Sequence, residues 1–140
     1  MGRRASRELV MKLLYQLEIQ RTDRDDQIDY ILSDNDLNKN CQDYIMDIVD
    51  GVTYNKLYID RIIEDHSKGW KLSRLSKVDL SILRLSIYEI KFRNDIPYNV
   101  SINEAVELAK KYSGAEAGAF INGILGKFSK VKACSNENDV

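Results

Sequence analysis

Apolar residues recur three to four positions apart along nearly the whole chain, and period-two alternation is almost absent, so the pattern predicts helices throughout. Ala5, Leu9, Leu13 and Leu17, widened by Val10 and Leu14, form the stripe of a first helix that reaches about Gln20. An aspartate-rich linker follows, and Ile28, Ile31 and Leu32 predict a short second helix. Ile45, Ile48, Val49 and Val52 mark a third, and Ile59, Ile62, Ile63 and His66 a fourth. Gly51 inside the third lowers helix propensity by about 1 kcal/mol, which points to close backbone approach there. Residues 78–90 differ from the rest: Val78, Ile82 and Leu85 lie along one side, and Leu80, Leu83, Ile87 and Ile90 along another. A helix apolar on more than one side is buried on more than one side, so this is the expected central helix.

Asn94-Asp95-Ile96-Pro97 breaks the pattern, because proline lacks an amide donor and pushes its predecessor out of the helical region. Ser101-Ile102-Asn103-Glu104 has the form of a capping box and is expected to open the next helix. Its core face is Ile102, Ala105, Val106, Ala109 and Tyr112, with Gly114 as the stop. Phe120, Ile121, Ile124, Leu125 and Phe128 carry a last helix, and from Ser129 onward the chain turns polar and is expected to fray. The expected fold is an all-α bundle of about seven helices. Residues 1–130 form one domain and 131–140 a polar tail.

At 140 residues such a chain can hold a core without staples, and 44% apolar with 31% charged residues is a globular balance. The net charge of −1 says nothing about partners, but its distribution does. Arg3, Arg4, Arg7 and Lys12 crowd the start with only Glu8 against them, while residues 23–36 hold six aspartates against Arg24. Local field, not net charge, is what a phosphate backbone meets. Cys41 and Cys134 have no partner at metal-ligand spacing and make no disulfide framework, which fits a reducing cytosol. No apolar run approaches membrane-spanning length, and no signal-peptide core is present. Met1-Gly2-Arg3-Arg4-Ala5-Ser6 fits the loose N-myristoylation pattern, a short motif that matches by chance and here leads straight into a core helix.

Catalytic chemistry finds little footing. His66, at the end of an apolar stripe, reads as a packed or rim residue. Glu89, Glu104 and Glu107 lack the histidine companions that di-metal bundles use. Gly126-Lys127 is similar to the end of a phosphate loop, but Ile121 and Phe128 stand where that loop needs glycine and a hydroxyl. No enzyme activity, metal or cofactor is expected. The arginines are the better signal, since a planar fork of donors suits phosphate oxygens and stacks on bases. Cations at a helix N-terminus also oppose the macrodipole, which favours a partner over a merely solvated helix start.

The second half carries a resemblance. Val78-Asp79-Leu80-Ser81-Ile82-Leu83-Arg84-Leu85-Ser86-Ile87-Tyr88-Glu89-Ile90 resembles the V-D-x-x-I-L-R-L-A-x-Y-E-L signature of the NusB family of bacterial transcription antitermination factors. The stretch from Pro97 through Val100-Ser101-Ile102-Asn103-Glu104-Ala105 to Lys110 is similar to the family's P-x-x-V-A-I-N-E-A-V-E-L-A-K segment. Phe120-Ile121-Asn122-Gly123-Ile124-Leu125 is similar to its F-V-N-G-V-L, and Arg3-Arg4-Ala5-Ser6-Arg7-Glu8 with Leu14-Tyr15 to its arginine-rich opening.

The resemblance implies two small packed bundles and an RNA-binding adaptor. Such an adaptor binds boxA-type single-stranded RNA in nascent ribosomal RNA transcripts together with NusE, a small-subunit ribosomal protein, and joins the RNA polymerase antitermination complex. By position it assigns RNA contact to Arg3, Arg4, Arg7, Phe120 and Asn122, and the NusE-facing surface to Tyr15, Ile19 and Asp79. Ser73 and Ala119 depart from an acidic and a basic residue of some relatives. Simpler roles stand beside these: Asp79 as a helix cap, Phe120 as core, Asn103 and Asn122 as structural hydrogen bonders, Tyr15 and Ile19 as rim. Some relatives self-associate, which leaves a homodimer open. Two other readings are the RNA-binding domain of an RNA cytosine methyltransferase and a helical interaction module without RNA. The first needs a cofactor domain with strands and a glycine loop, which is not expected in these residues.

Overall fold

The computed structural model describes residues 2–20, 23–34 and 37–138, with side chains through 131 apart from residue 34. Among them are seven α-helices and no strand: α1 (Arg3–Gln20), α2 (Arg24–Asp34), α3 (Lys39–Tyr54), α4 (Lys56–His66), α5 (Lys77–Phe92), α6 (Tyr98–Tyr112) and α7 (Ala115–Asn138). A single 3₁₀ turn (Leu72–Arg74) precedes α5.

The two-sided apolar pattern of α5 has the expected consequence. Every residue from 80 to 90 is buried, and α5 packs against α1, α3, α4, α6 and α7. These helices share one continuous apolar core. Because the helix is enclosed, its polar side chains need partners. Ser81 and Ser86 donate back to the carbonyls of Lys77 and Ile82, while Arg84 and Glu89 are met by opposite charges from other helices. Ser76 caps α5, its hydroxyl accepting the Asp79 amide at 3.1 Å, so Asp79 is not the cap itself. Gly51 supplies the close approach expected of it, since a β-carbon there would collide with the Tyr88 ring.

Several local expectations are corrected. The acidic stretch is not a linker: α2 begins at Arg24, with Asp25 and Asp26 in its first turn, where carboxylates favour the macrodipole. The buried face of α1 is rotated from the predicted stripe. Ala5 is exposed, whereas Ser6, Arg7, Val10, Met11, Leu13 and Leu14 are buried. The capping box is absent. Pro97 stands at the N-cap of α6, four residues before Ser101, so Ser101 and Glu104 lie inside the helix and their side chains turn to other helices. Tyr112 lies at the rim with its hydroxyl on Glu8, and Leu108 fills the core in its place. Gly114 does end α6: its φ of +122° favours glycine, and its amide donates to Ala109 O at 2.8 Å. The backbone of α7 continues as helix to Asn138, while Met1 and the Cys134 side chain lie outside the described residues.

Candidate nucleic-acid interface

The three N-terminal arginines part company. Arg7 falls one and two turns before Val10, Met11 and Leu14, which places it on the core side of α1. It is 5% exposed and grips Glu89 of α5 with two parallel bonds, Nε to Oε2 at 2.8 Å and Nη2 to Oε1 at 3.0 Å. Tyr44 of α3 donates to the same carboxylate at 2.5 Å and Ser101 of α6 at 3.0 Å, so four helices meet on one buried charge. Burial opposes the Arg7 charge, but the hydrogen bonds and charge of Glu89 outweigh it and hold the guanidinium above its ordinary value. Burial, then the Glu89 charge, pushes the Tyr44 hydroxyl up and keeps it a donor. The expectation that Arg7 stands free at the helix start is therefore corrected: helical phase puts it inside, where a carboxylate awaits it.

Arg3 and Arg4 do reach solvent. The Arg3 guanidinium lies over the Tyr44 ring, 4.2 Å from its centroid, with Arg93 at 5.5 Å from the same ring. Arg4 is held by Glu104 through a two-point bridge of 3.0 and 2.9 Å, and that hydrogen-bonded carboxylate raises its pKa. Both cations are thus presented on a surface set by the sealed Arg7–Glu89 pair beneath them.

At the start of α7, Phe120 is half-buried and meets Trp70 edge to face, centroids 6.5 Å apart, while Asn122 and Ala119 are exposed. Trp70 itself is 54% exposed, and the sequence reading missed it. The signal was there: the chain's one tryptophan sits between Lys68, Lys71 and Arg74, where the apolar period lapses.

The residues expected to face a protein partner lie in the second half of α1 and the first turn of α5. Tyr15 is half-buried and Ile19, one turn on, is 49% exposed. Between them in sequence, Glu18 binds Arg84 of α5 at 3.0 Å, Lys56 of α4 at 3.2 Å and Lys77 of α5 at 3.5 Å. Burial would raise the Glu18 pKa, but bonds from Arg84 and Lys56 outweigh it and lower it to about 2. Arg84 in turn clasps Asp60 at 2.8 and 2.9 Å. This cluster draws the end of α1 to the starts of α4 and α5; Asp79, in the first turn of α5, is half-buried. Asp79 Oδ1 is shielded from solvent without a hydrogen-bond partner among the described residues. Leu57, next to Lys56 and 88% exposed, is a second surface residue the sequence reading missed. Ser73 is exposed in the 3₁₀ turn.

His66 is a packed residue, its Nδ1 2.8 Å from Ile62 O and its ring edge-on to Phe128. No group of metal-ligating side chains occurs among the described residues, and no described helix is long and apolar enough to cross a membrane.

Comparison with known proteins gives one answer. The NusB family model matches residues 4–130. The transcription antitermination protein NusB of Acetivibrio thermocellus is 64% identical over 99% of this chain and 97% of its own. Among solved structures, T. maritima NusB superposes with a TM-score of 0.87 at 38% identity, covering 93% of this chain and 92% of that one. Antitermination factors NusB and NusE in complex with double-stranded RNA form another match, at TM-score 0.84 and 27% identity over 92% of this chain and 96% of that one. The chain belongs to the NusB family.

Proposed function

We propose that this protein is a transcription antitermination factor that acts by binding and not by catalysis. It grips boxA-type single-stranded RNA of nascent ribosomal RNA transcripts together with NusE, and the pair joins the RNA polymerase antitermination complex in the cytoplasm. The observation that carries this reading is the pair Arg3 and Arg4, exposed yet held in place by Tyr44 and Glu104 at the start of α1. Support comes from the relative solved with NusE and RNA. Arg7 belongs to the grip as its anchor, buried beneath the two, and Asn122 lies exposed at the start of α7 for a further contact. Tyr15, Ile19 and Asp79 supply the NusE-facing surface.

The test is a titration of a boxA-like single strand at several salt concentrations. Arg3→Ala with Arg4→Ala should reduce the steepness of the log–log salt dependence by about 1.4, since each phosphate neutralised on a single strand contributes roughly 0.7. Arg7 is left intact because its loss would disturb the fold. The helical circular dichroism should not change. RNA binding that keeps its strength and salt dependence in the double variant would remove the arginines from the interface. Titrating NusE with and without RNA measures the adaptor role, because true coupling must be reciprocal.

A further inference from the structure

We propose that the connector between α4 and α5 is a second nucleic-acid contact: one unpaired base stacks on the Trp70 indole, and Lys68, Lys71 and Arg74 take the flanking phosphates. The inference rests on the RNA-binding reading above and extends it to residues that reading did not use.

The indole is exposed but fixed. Lys68 and Gly69 adopt positive φ values of 53° and 86°, which fold the chain tightly after α4. Buried Ser67 closes the turn: Trp70 N donates to its carbonyl at 3.2 Å, and its hydroxyl lies 2.7 Å from Trp70 O. Phe120 then backs one edge of the ring at 6.5 Å between centroids and 64° between planes. An aromatic ring fixed at its edge and open on its surface is what base stacking needs, and the stack tolerates any base. Phe120 is in this account the support of the platform and not the platform itself, which fits its half-buried position.

The charges around it are unspent. Lys12, Lys56, Lys77 and Lys111 each have a carboxylate within 4 Å. Lys68, Lys71 and Arg74 have none among the described residues, yet they line one shallow cleft with Gly69 and Trp70. Three unpaired cations around a single exposed ring favour a polyanion with stackable bases. A protein partner would favour a broader apolar centre with charges kept to the rim.

Trp70 is the chain's one tryptophan, so its fluorescence reports on this place alone. Titrating the full chain with a single-stranded boxA-like RNA should quench that emission in step with binding measured by anisotropy of a labelled strand. Trp70→Leu should weaken binding by about ten-fold, within the range of one lost base stack, and Trp70→Tyr should restore most of it. Lys68→Gln, Lys71→Gln and Arg74→Gln together should take about 2 from the salt dependence while leaving the quench at saturation. Should Trp70→Leu fail to fold by circular dichroism, the tyrosine and glutamine variants still decide. Binding without quenching, or unchanged affinity in folded Trp70→Leu, overturns the proposal. Quenching by NusE alone and not by RNA also overturns it, making the connector a protein contact. If those results came with loss of binding in the Arg3 and Arg4 variant, the RNA reading would survive and this extension would not. If the unmodified chain bound no RNA with or without NusE, both would fall.

Discussion

Two ion clusters tie α1 to α5, and they are built with opposite polarity. Near the start of α1, the cation Arg7 meets the anion Glu89; near its end, the anion Glu18 meets the cation Arg84. The order of the pairs makes the helices antiparallel, and sliding or reversing α1 would set like charges together. The clusters differ in their access to water. Glu89 is 1% exposed and receives all its bonds from groups sealed beside it, whereas the Glu18 side chain is 17% exposed and gathers Lys56 and Lys77 from the surface. A sealed pair stands or falls as a unit, because losing one member strands a charge in low dielectric. An open cluster can lose a member and fall back on other ions and on water. The sealed cluster underlies the exposed arginines, and the open one adjoins the surface of Ile19 and Asp79.

The largest expected effect breaks this contrast directly. Arg7→Ala leaves Glu89 buried with only Tyr44 and Ser101 as donors and should cost about 3–5 kcal/mol of unfolding free energy. Arg84→Ala leaves Glu18 with Lys56 and Lys77 and takes both bonds from Asp60, whose side chain is 14% exposed and can turn to water, so it should cost less, about 1–3 kcal/mol. Urea unfolding of the two variants in parallel measures the difference. Equal losses would mean that solvent access does not separate the clusters.

Acid is the next probe. The Glu18 pKa is lowered to about 2 in the folded chain from an ordinary 4.5, so the folded state holds its proton less tightly than the unfolded state does. Its contribution to stability is therefore complete above pH ~4.5 and is lost as pH falls from there through about 2. Glu18→Gln should flatten the stability profile across that window and leave its shape near neutral pH unchanged. A Glu18→Gln profile parallel to the parent's between those limits would contradict the assignment.

How much of this was legible in the sequence depends on how local the cause is. The central α5 and the tight place at Gly51 were legible, because one helix's own periodicity and one residue's missing side chain determine them. Arg7 shows the middle case. Its spacing to Val10, Met11 and Leu14 marks the buried face as plainly as any leucine would, but a charge reads as surface until its partner is known. Glu89 lies 82 residues away, and nothing in either segment announces the pairing. The same holds for Ser101 and Glu104. Their motif is that of a capping box, and only the packing of α6 against α1 and α5 shows that Arg4 and Glu89 claim them. Arg3 and Arg4 were legible as a charge anomaly, whereas Tyr44 beneath them was not, since its ring belongs to a helix with no unusual feature at that position.

Tyr44 offers the smallest and sharpest test, because it serves both levels at once: its hydroxyl belongs to the sealed cluster and its ring to the exposed grip. Tyr44→Phe removes one of several bonds to Glu89, and Oε2 keeps Arg7, so the cost should be about 1 kcal/mol in urea unfolding. The ring remains, Arg3 keeps its platform, and affinity for the single strand should hold. Tyr44→Leu takes the ring as well. The Arg3 cation is exposed while the Tyr44 ring beneath it is buried, and such a contact at an exposed cation gains about 0.5–1 kcal/mol, so freeing Arg3 should weaken RNA binding two- to five-fold beyond the phenylalanine variant. The stability loss of Tyr44→Leu will be larger than that of Tyr44→Phe, so affinities must be compared where both variants are fully folded. If RNA binds the two alike under those conditions, Tyr44 serves the buried cluster only, and Arg3 owes its placement to the helix backbone instead.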